Sequence, residues 1–396
     1  MFYLIIFCIL LFFSILEVSN IDNGSKRILI IFTSLILILV AGLRYETGGD
    51  WNIYENIFHK IKPIGEIAAG AKTYSGIELG FVLFCSVIKQ LGGNIQTVFF
   101  LITLLNIILI TKSLMRYTKY VIFGLFVYYS ILYFALEMLY TRQAIAVAIS
   151  FFSLAYIKER KIIKYLLLII LAAFFHRMAL VMIPLYFILN IRFSSVFLIV
   201  LFSIGCIFMI FQIPWMKGIF LSISMFLGDD FSNRALYYLS EERYSIARVI
   251  SIGFVLNILL FVLILLFKNK IEKKEYGTIF INMFVLSLLI YCFGYELIEV
   301  GNRFRFFFFI GIIVIFPYIT ESLILYPNKL LFILLLSSYC FLYNRAIFLE
   351  KPEAVAYNPY QNYLIYKWND KESTGKKRLK ESIDQTSKER KEMKKR

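Results

Sequence analysis

The 396-residue chain is 60% hydrophobic and 18% aromatic, with only 17% charged residues and a mean hydropathy of +0.76; a soluble domain carries about a quarter charged residues. This composition excludes a soluble globular protein and indicates a polytopic membrane protein. A formal net charge of +16 suggests nucleic acid in a soluble chain, but here the Lys and Arg lie in short loops between apolar runs and in the C-terminal tail, as positive-inside topology requires.

A bilayer-spanning helix needs about 20 mostly apolar residues. Candidate runs occupy residues 2–17, 27–43, 95–112, 120–137, 141–157, 162–175, 178–190, 194–211, 247–267, 278–296, 303–322 and 329–347, and a weaker one, 76–90, carries Glu78. The expected fold is an all-α transmembrane bundle of about 12 to 13 hydrophobic segments. The first run has no basic residues before it and no small-residue cleavage site after it, so it reads as a retained helix. Cys8, Cys85, Cys206, Cys292 and Cys340 are scattered through apolar runs without metal-ligand spacing, which suits buried hydrophobes.

Basic clusters set the orientation. Lys26 and Arg27, then Lys112, Arg116 and Lys119, then Lys158 to Lys164, Arg192, and Lys268 to Glu275 should be cytoplasmic. The ends carrying Arg142, His176, the 212–246 loop and the 297–302 turn then face the other side. If Gly42 to Thr73 is outside and Lys112 to Lys119 inside, one crossing lies between them, so 76–90 is re-entrant or interfacial. Glu78 fits, because a carboxylate at membrane depth is tolerated where it lines a protein cavity. The same counting places the tail outside, whereas its thirteen Lys or Arg against seven Asp or Glu from Lys351 to Arg396 favour the cytoplasm. Residues 1–350 read as a transmembrane catalytic domain with outer-face loops at 44–75 and 212–246, the latter long enough to be functional. Residues 351–396 read as a basic tail, disordered or a loose helix, with too few apolar residues to bury a core.

The outer face collects ionisable groups that are costly near hydrocarbon and so mark a site. They are Arg44, Asp50 and Tyr54 in GLRYETGGDWNIY; Arg142 and Gln143 opening RQAIAVAIS; His176 and Arg177 in AAFFHRMAL; and Arg303 and Arg305 in NRFRFFFF. Arginine dominates this set, and guanidinium pairs bidentately with phosphate. Arg142 alone also suits a side chain snorkelling to headgroups. His176 alone suits either a satisfied interface histidine or a general base. Asp50 and Glu78 are the carboxylates best placed as bases, while Glu46 and Glu55 read as solvated loop charge. Arg303 and Arg305, two apart on a helix, cannot point the same way, and the neighbouring phenylalanines read as lipid-facing or core packing. No group of Cys, His or carboxylates has metal-ligand spacing.

These segments resemble the EpsG-type polysaccharide polymerases, related in role to the Wzy O-antigen polymerases. The resemblance rests on GLRYETGGDWNIY, IELGFVLFCSVIKQLGGNIQ, the run from Arg142 to Ile188 and NRFRFFFF, in the family's order. Arg44, Asp50, Tyr54, Glu78, Arg142, Gln143 and His176 occupy motif positions; Met178 and Leu79 depart from the pattern, which often has a small hydroxyl residue and a proline there. The resemblance implies a metal-independent glycosyltransferase, without cofactor, of the bacterial inner membrane. It would join undecaprenyl-pyrophosphate-linked oligosaccharide repeat units into O-antigen, capsule or exopolysaccharide at the outer leaflet, alongside a flippase and a chain-length regulator and without nucleic acid. In that setting Arg44 and Arg142 hold the pyrophosphate and Asp50 or His176 activates the acceptor. Trp51 and Tyr54 meet sugar faces, and Glu78, Gln143, Arg177, Arg303 and Arg305 complete substrate binding. A flippase for the same lipid-linked sugar would instead show inverted repeats and charges at mid-helix, and a membrane acyltransferase using His176 would need a second polar residue near it.

Overall fold

The computed structural model describes residues 1–19, 21–69, 74, 76–215, 251–351 and 354–393. Most of the 212–246 loop and residues 70–73 and 75 of the first loop therefore lie outside the described residues. Those described are helical throughout, apart from irregular connections and one isolated antiparallel bridge between Arg44 and Asn362. The all-helical membrane architecture follows, and the chain divides into two units. One comprises Met1–Ser153, Leu166–Ala179 and Leu323–Arg396; the other comprises Leu154–Tyr165 and Leu180–Ser322.

In the first unit, α1 (Phe2–Val18) and α2 (Asn23–Gly42) are followed by α3 (Trp51–Lys60) and the short α4 (Ile64–Ala68). Next come α5 (Leu79–Gln90), α6 (Ile95–Tyr117), α7 (Val121–Tyr128) and α8 (Thr141–Ser153). The Asp22 carboxylate caps α2 by accepting from the Gly24 and Ser25 N–H groups. Asn94 and Thr97 close a reciprocal capping box that fixes the start of α6. α6 packs against both α2 and α8, and α7 against α1. α7 runs on through a π turn, Tyr129–Tyr133, to Phe134–Leu136. Its wider winding is pinned by buried phenols: Tyr129 donates to the Tyr3 carbonyl (2.7 Å) and Tyr133 to the Leu37 carbonyl (2.5 Å). α9 (Ile162–Phe175) begins in the second unit and ends in the first.

The second unit holds α10 (Ser195–Ile210), α11 (Ile252–Ile271), α12 (Gly277–Phe293), α13 (Ile298–Phe309) and α14 (Ile312–Ser322). α12 packs against α10 and α13, and Asn282 on α12 donates to the Leu189 and Ile191 carbonyls at 2.9 and 2.8 Å. The first unit resumes with α15 (Tyr326–Tyr343), α16 (Tyr363–Trp368) and α17 (Gly375–Met393).

Among the described residues four helices are long and apolar enough to cross a membrane, or five with α13 and α14 taken as one span bent by 42°. Gly311 stands at that bend. The other apolar runs form shorter helices. Residues 178–190, expected as one span, are instead a 3-10 turn, Arg177–Met182, and one short helical turn, Leu185–Ile188; Pro184 between them has no N–H to continue the ladder. The run 141–157 breaks after Ser153 and restarts at Ala155.

Two topological expectations meet the structure directly. α5 has 12 residues, about 18 Å of helix, against roughly 30 Å of hydrocarbon. Near its start Phe81 packs on Tyr54 of α3. At its end the Lys89 ammonium donates to the carbonyls of Phe58, His59 and Ile61 at 3.1, 3.0 and 2.7 Å. Both ends of α5 therefore lie beside α3, and α5 is too short to cross the hydrocarbon as a single straight helix. The chain after residue 356, in turn, packs on the first loop. Tyr45 N–H donates to the Gln361 carbonyl and Tyr363 N–H to the Leu43 carbonyl, both at 2.8 Å. The Arg378 guanidinium donates to the Pro359 and Glu46 carbonyls (2.9 and 3.1 Å) and the Thr47 hydroxyl (3.4 Å). The tail thus packs against the first loop, an arrangement compatible with segment counting rather than with charge counting. Where composition suggests disorder or a loose helix, α16 and α17 form, and Gln361 and Arg378 are buried.

Candidate active site

Arg142 stands in the first turn of α8, and its backbone N–H donates to the Tyr54 hydroxyl of α3 at 3.4 Å. Glu78 precedes α5 in extended conformation, so its carboxylate sits at a helix N-terminus, where negative charge is favoured. One carboxylate oxygen forms an ion pair with the Arg142 guanidinium, and the other accepts the Arg177 backbone N–H at 3.4 Å. A close helix contact brings Arg177 there: a Cβ at Gly80 would lie 2.7 Å from the Phe174 carbonyl oxygen, so only glycine lets α5 approach the end of α9 so closely. His176, immediately before Arg177, is 8% exposed, and its N–H and C=O bond Ala172 and Ala179, each at 3.0 Å. The Arg177 side chain is exposed. Arg142 and Glu78 keep 23% and 13% of their side-chain surface open, so the pair is partly open to solvent.

A buried polar layer lies beneath this cluster. Arg44 is 1% exposed. It donates to the Ala41 carbonyl and the Thr141 hydroxyl, each at 3.3 Å, and to the Glu137 carbonyl, and its guanidinium carbon is 4.3 Å from the Phe99 ring centroid. Sequence analysis places Arg44 at an anion; the structure encloses it in protein, one residue from Arg142 through Thr141. Glu137, which sequence analysis missed, accepts from the Tyr128 hydroxyl (2.6 Å) and the Asn106 amide (3.1 Å) and is 1% exposed. Its signal was available, as a lone carboxylate within the apolar run FALEML. Gln143, also buried at 1%, follows Arg142 into the same interior.

Asp50 sits at the start of α3, with its carbonyl accepting the Tyr54 N–H at 3.1 Å. Burial, and then the charge of Asp50, push the Tyr357 phenol up to about 12, with Arg44 pulling the other way. Gly48 makes that loop possible. Its φ is +102°, and a Cβ there would come within 2.3 Å of the Met138 carbonyl oxygen, which excludes other residues. Trp51 is 4% exposed, against the cavity described below.

Arg303 and Arg305 belong to the second unit, on α13. Arg303 pairs with Glu299 one turn earlier at 3.3 Å. Arg305 donates to the Asn257 amide oxygen at 2.9 Å and lies 4.9 and 4.2 Å from the Tyr291 and Phe309 ring centroids. The two point to different partners, as their spacing requires, and Phe307, Phe308 and Phe309 are buried.

A family model for the EpsG family matches residues 27–362, from the first turns of α2 through the bridge residue Asn362. The chain belongs to the EpsG family. EpsG proteins are Wzy-like polysaccharide polymerases, so this membrane-embedded chain is, at that level, a glycosyltransferase-like polymerase of polysaccharide biosynthesis. No curated protein and no solved structure matches it. The matched region contains every residue named in the cluster around Arg142.

Proposed function

We propose that this EpsG-family protein joins lipid-pyrophosphate-linked oligosaccharide repeat units, working at the outer leaflet of the bacterial cytoplasmic membrane on an undecaprenyl carrier. In each step the bond between the sugar anomeric carbon and the pyrophosphate oxygen of the growing chain breaks. A hydroxyl of the incoming unit bonds to that carbon, its proton passes to a base, and undecaprenyl pyrophosphate leaves. The observation that carries this reading is the partly open Glu78–Arg142 pair beside the Arg177 amide. Arg142 and the exposed Arg177 side chain neutralise the charge developing on the leaving pyrophosphate, with Glu78 holding Arg142 in place until the anion arrives. His176, fixed one residue from this cluster, takes the acceptor proton, or Asp50 does from the α3 side. Arg44, enclosed with Glu137, positions Thr141 and hence Arg142. The arginines supply the charge stabilisation that a cation provides elsewhere, so the reaction is read as metal-independent.

Substituting Arg142→Ala in cells and resolving the surface polysaccharide on a gel tests this reading. Accumulation of single repeat units on the lipid carrier is expected; a normal ladder of long chains would overturn it.

A further inference from the structure

A cavity of about 220 Å³ opens between α3, the start of α6 and the C-terminal segment. Two short helical faces line it. Trp51, Glu55 and His59 are spaced four apart along α3, and Tyr363 and Lys367 four apart along α16, so each set presents one stripe. The Tyr363 hydroxyl accepts from the Asn94 amide at 3.1 Å, and Tyr45 packs edge-on against Tyr363 with centroids 5.7 Å apart. The wall is therefore aromatic surface edged by a carboxylate, an imidazole and an ammonium. Burial, then the charges of Glu46 and Glu55, raise the Tyr45 phenol above its ordinary range, which keeps it a neutral donor and acceptor at this wall.

We propose that this cavity is a carbohydrate subsite that seats one pyranose ring of the glycan, with the C-terminal segment forming half of it. The inference rests on the polymerase reading above and goes beyond it by giving the tail a binding role. A pyranose has a weakly positive C–H face that suits the negative face of an aromatic ring, and its rim of hydroxyls needs both donors and acceptors. The partly exposed Tyr45 and Tyr363 provide the first, over the buried Trp51, and Glu55, His59 and Lys367 provide the second. The size is selective: pockets for drug-sized ligands run from roughly 300 Å³ upward, so this one admits a ring and not a whole repeat unit. A lipid tail is disfavoured by the three ionisable groups at the rim. A free phosphate is disfavoured by Glu55 and by Glu46 at the same wall. Phe99 lines the cavity and also packs edge-on against Tyr54, 6.1 Å between centroids, and Tyr54 holds the Arg142 backbone. A sugar in the cavity is thereby placed one aromatic layer from the pyrophosphate cluster. The role of the tail clasp follows, since Gln361 and Arg378, on either side of α16, fasten it to the loop.

The test uses the full-length protein in nanodiscs and a panel of methyl glycosides of common hexoses and N-acetylhexosamines, read by saturation-transfer NMR. At least one glycoside should receive saturation on its ring C–H protons. Glu55→Gln and Tyr363→Leu, both at partly exposed positions, should each weaken it about tenfold in protein checked to be folded. Absence of saturation for every glycoside, or affinities unchanged in both variants, would overturn the assignment. Arg142→Ala separates the two readings. It should retain glycoside binding while losing polymerisation, and an active Arg142→Ala protein would remove the proposed chemistry and leave the subsite to be judged by the NMR result alone.

Discussion

Arg44 is 1% exposed and directs its donors at backbone carbonyls and a threonine hydroxyl, whereas Arg142, in the same unit, pairs with a carboxylate and keeps 23% of its side chain open. Both are arginines at a helix end that sequence analysis places on the outer face, and it gives them the same role. Their surroundings separate them. A guanidinium enclosed by fixed acceptors has no room for a ligand, and removing it leaves those acceptors unsatisfied. A guanidinium held by one exchangeable carboxylate can give that partner up to an incoming anion. In the proposed mechanism the lower layer therefore supports the site and the upper layer meets substrate.

The largest effect expected along this divide is on folding. Arg44→Ala should cost about 3 kcal/mol or more through lost charged hydrogen bonds and the space left behind, read as loss of monodisperse protein in detergent; a stable Arg44→Ala protein with intact polymerisation would erase the distinction. Glu137→Gln should cost less, about 1–2 kcal/mol, because the amide oxygen still accepts from Tyr128, and thermal unfolding should show a lowered but cooperative transition. Arg378→Ala should loosen only the clasp, by about 1 kcal/mol or roughly fivefold faster hydrogen exchange at the Tyr45 and Tyr363 amides; unchanged exchange would mean the clasp is held without Arg378. A topological check involves no loss of stability. In a cysteine-free background, single cysteines at Asn56 and Lys371 should label from one side and one at Lys119 from the other, and labelling of Lys371 with Lys119 would contradict the packing of the tail on the first loop.

Local signals carried much of this. Apolar runs of the right length gave α2, α6, α11 and α12, the weaker run at 76–90 gave the short α5, and charge at an apolar boundary picked out Glu78, Arg142, Arg177 and Tyr54, which the fold gathers. What escaped reading depends on pairing between distant segments. Nothing near Arg44 announces that Glu137, 93 residues away, will cap it with a carbonyl, or that Gln361, 316 residues on, will bond Tyr45. The docking of the tail was hidden for a compositional reason. Its Lys and Glu content argues against a core, but Tyr360, Gln361, Tyr363 and Arg378 need only a surface to dock on, and the first loop supplies one. Residues 178–190 misled because apolar length outweighed Pro184. Glu55, set aside as solvated loop charge, gains a neighbour in Lys367 across the cavity only once the tail is in place.

The most direct measurement is polymerisation by the purified, reconstituted protein given a lipid-pyrophosphate-linked repeat unit, with native and Arg142→Ala proteins compared at equal folded amounts. The account predicts chain growth with release of the lipid pyrophosphate for the native protein, and loss of both, with folding retained, for the variant. Chain growth at the native rate by Arg142→Ala would contradict it.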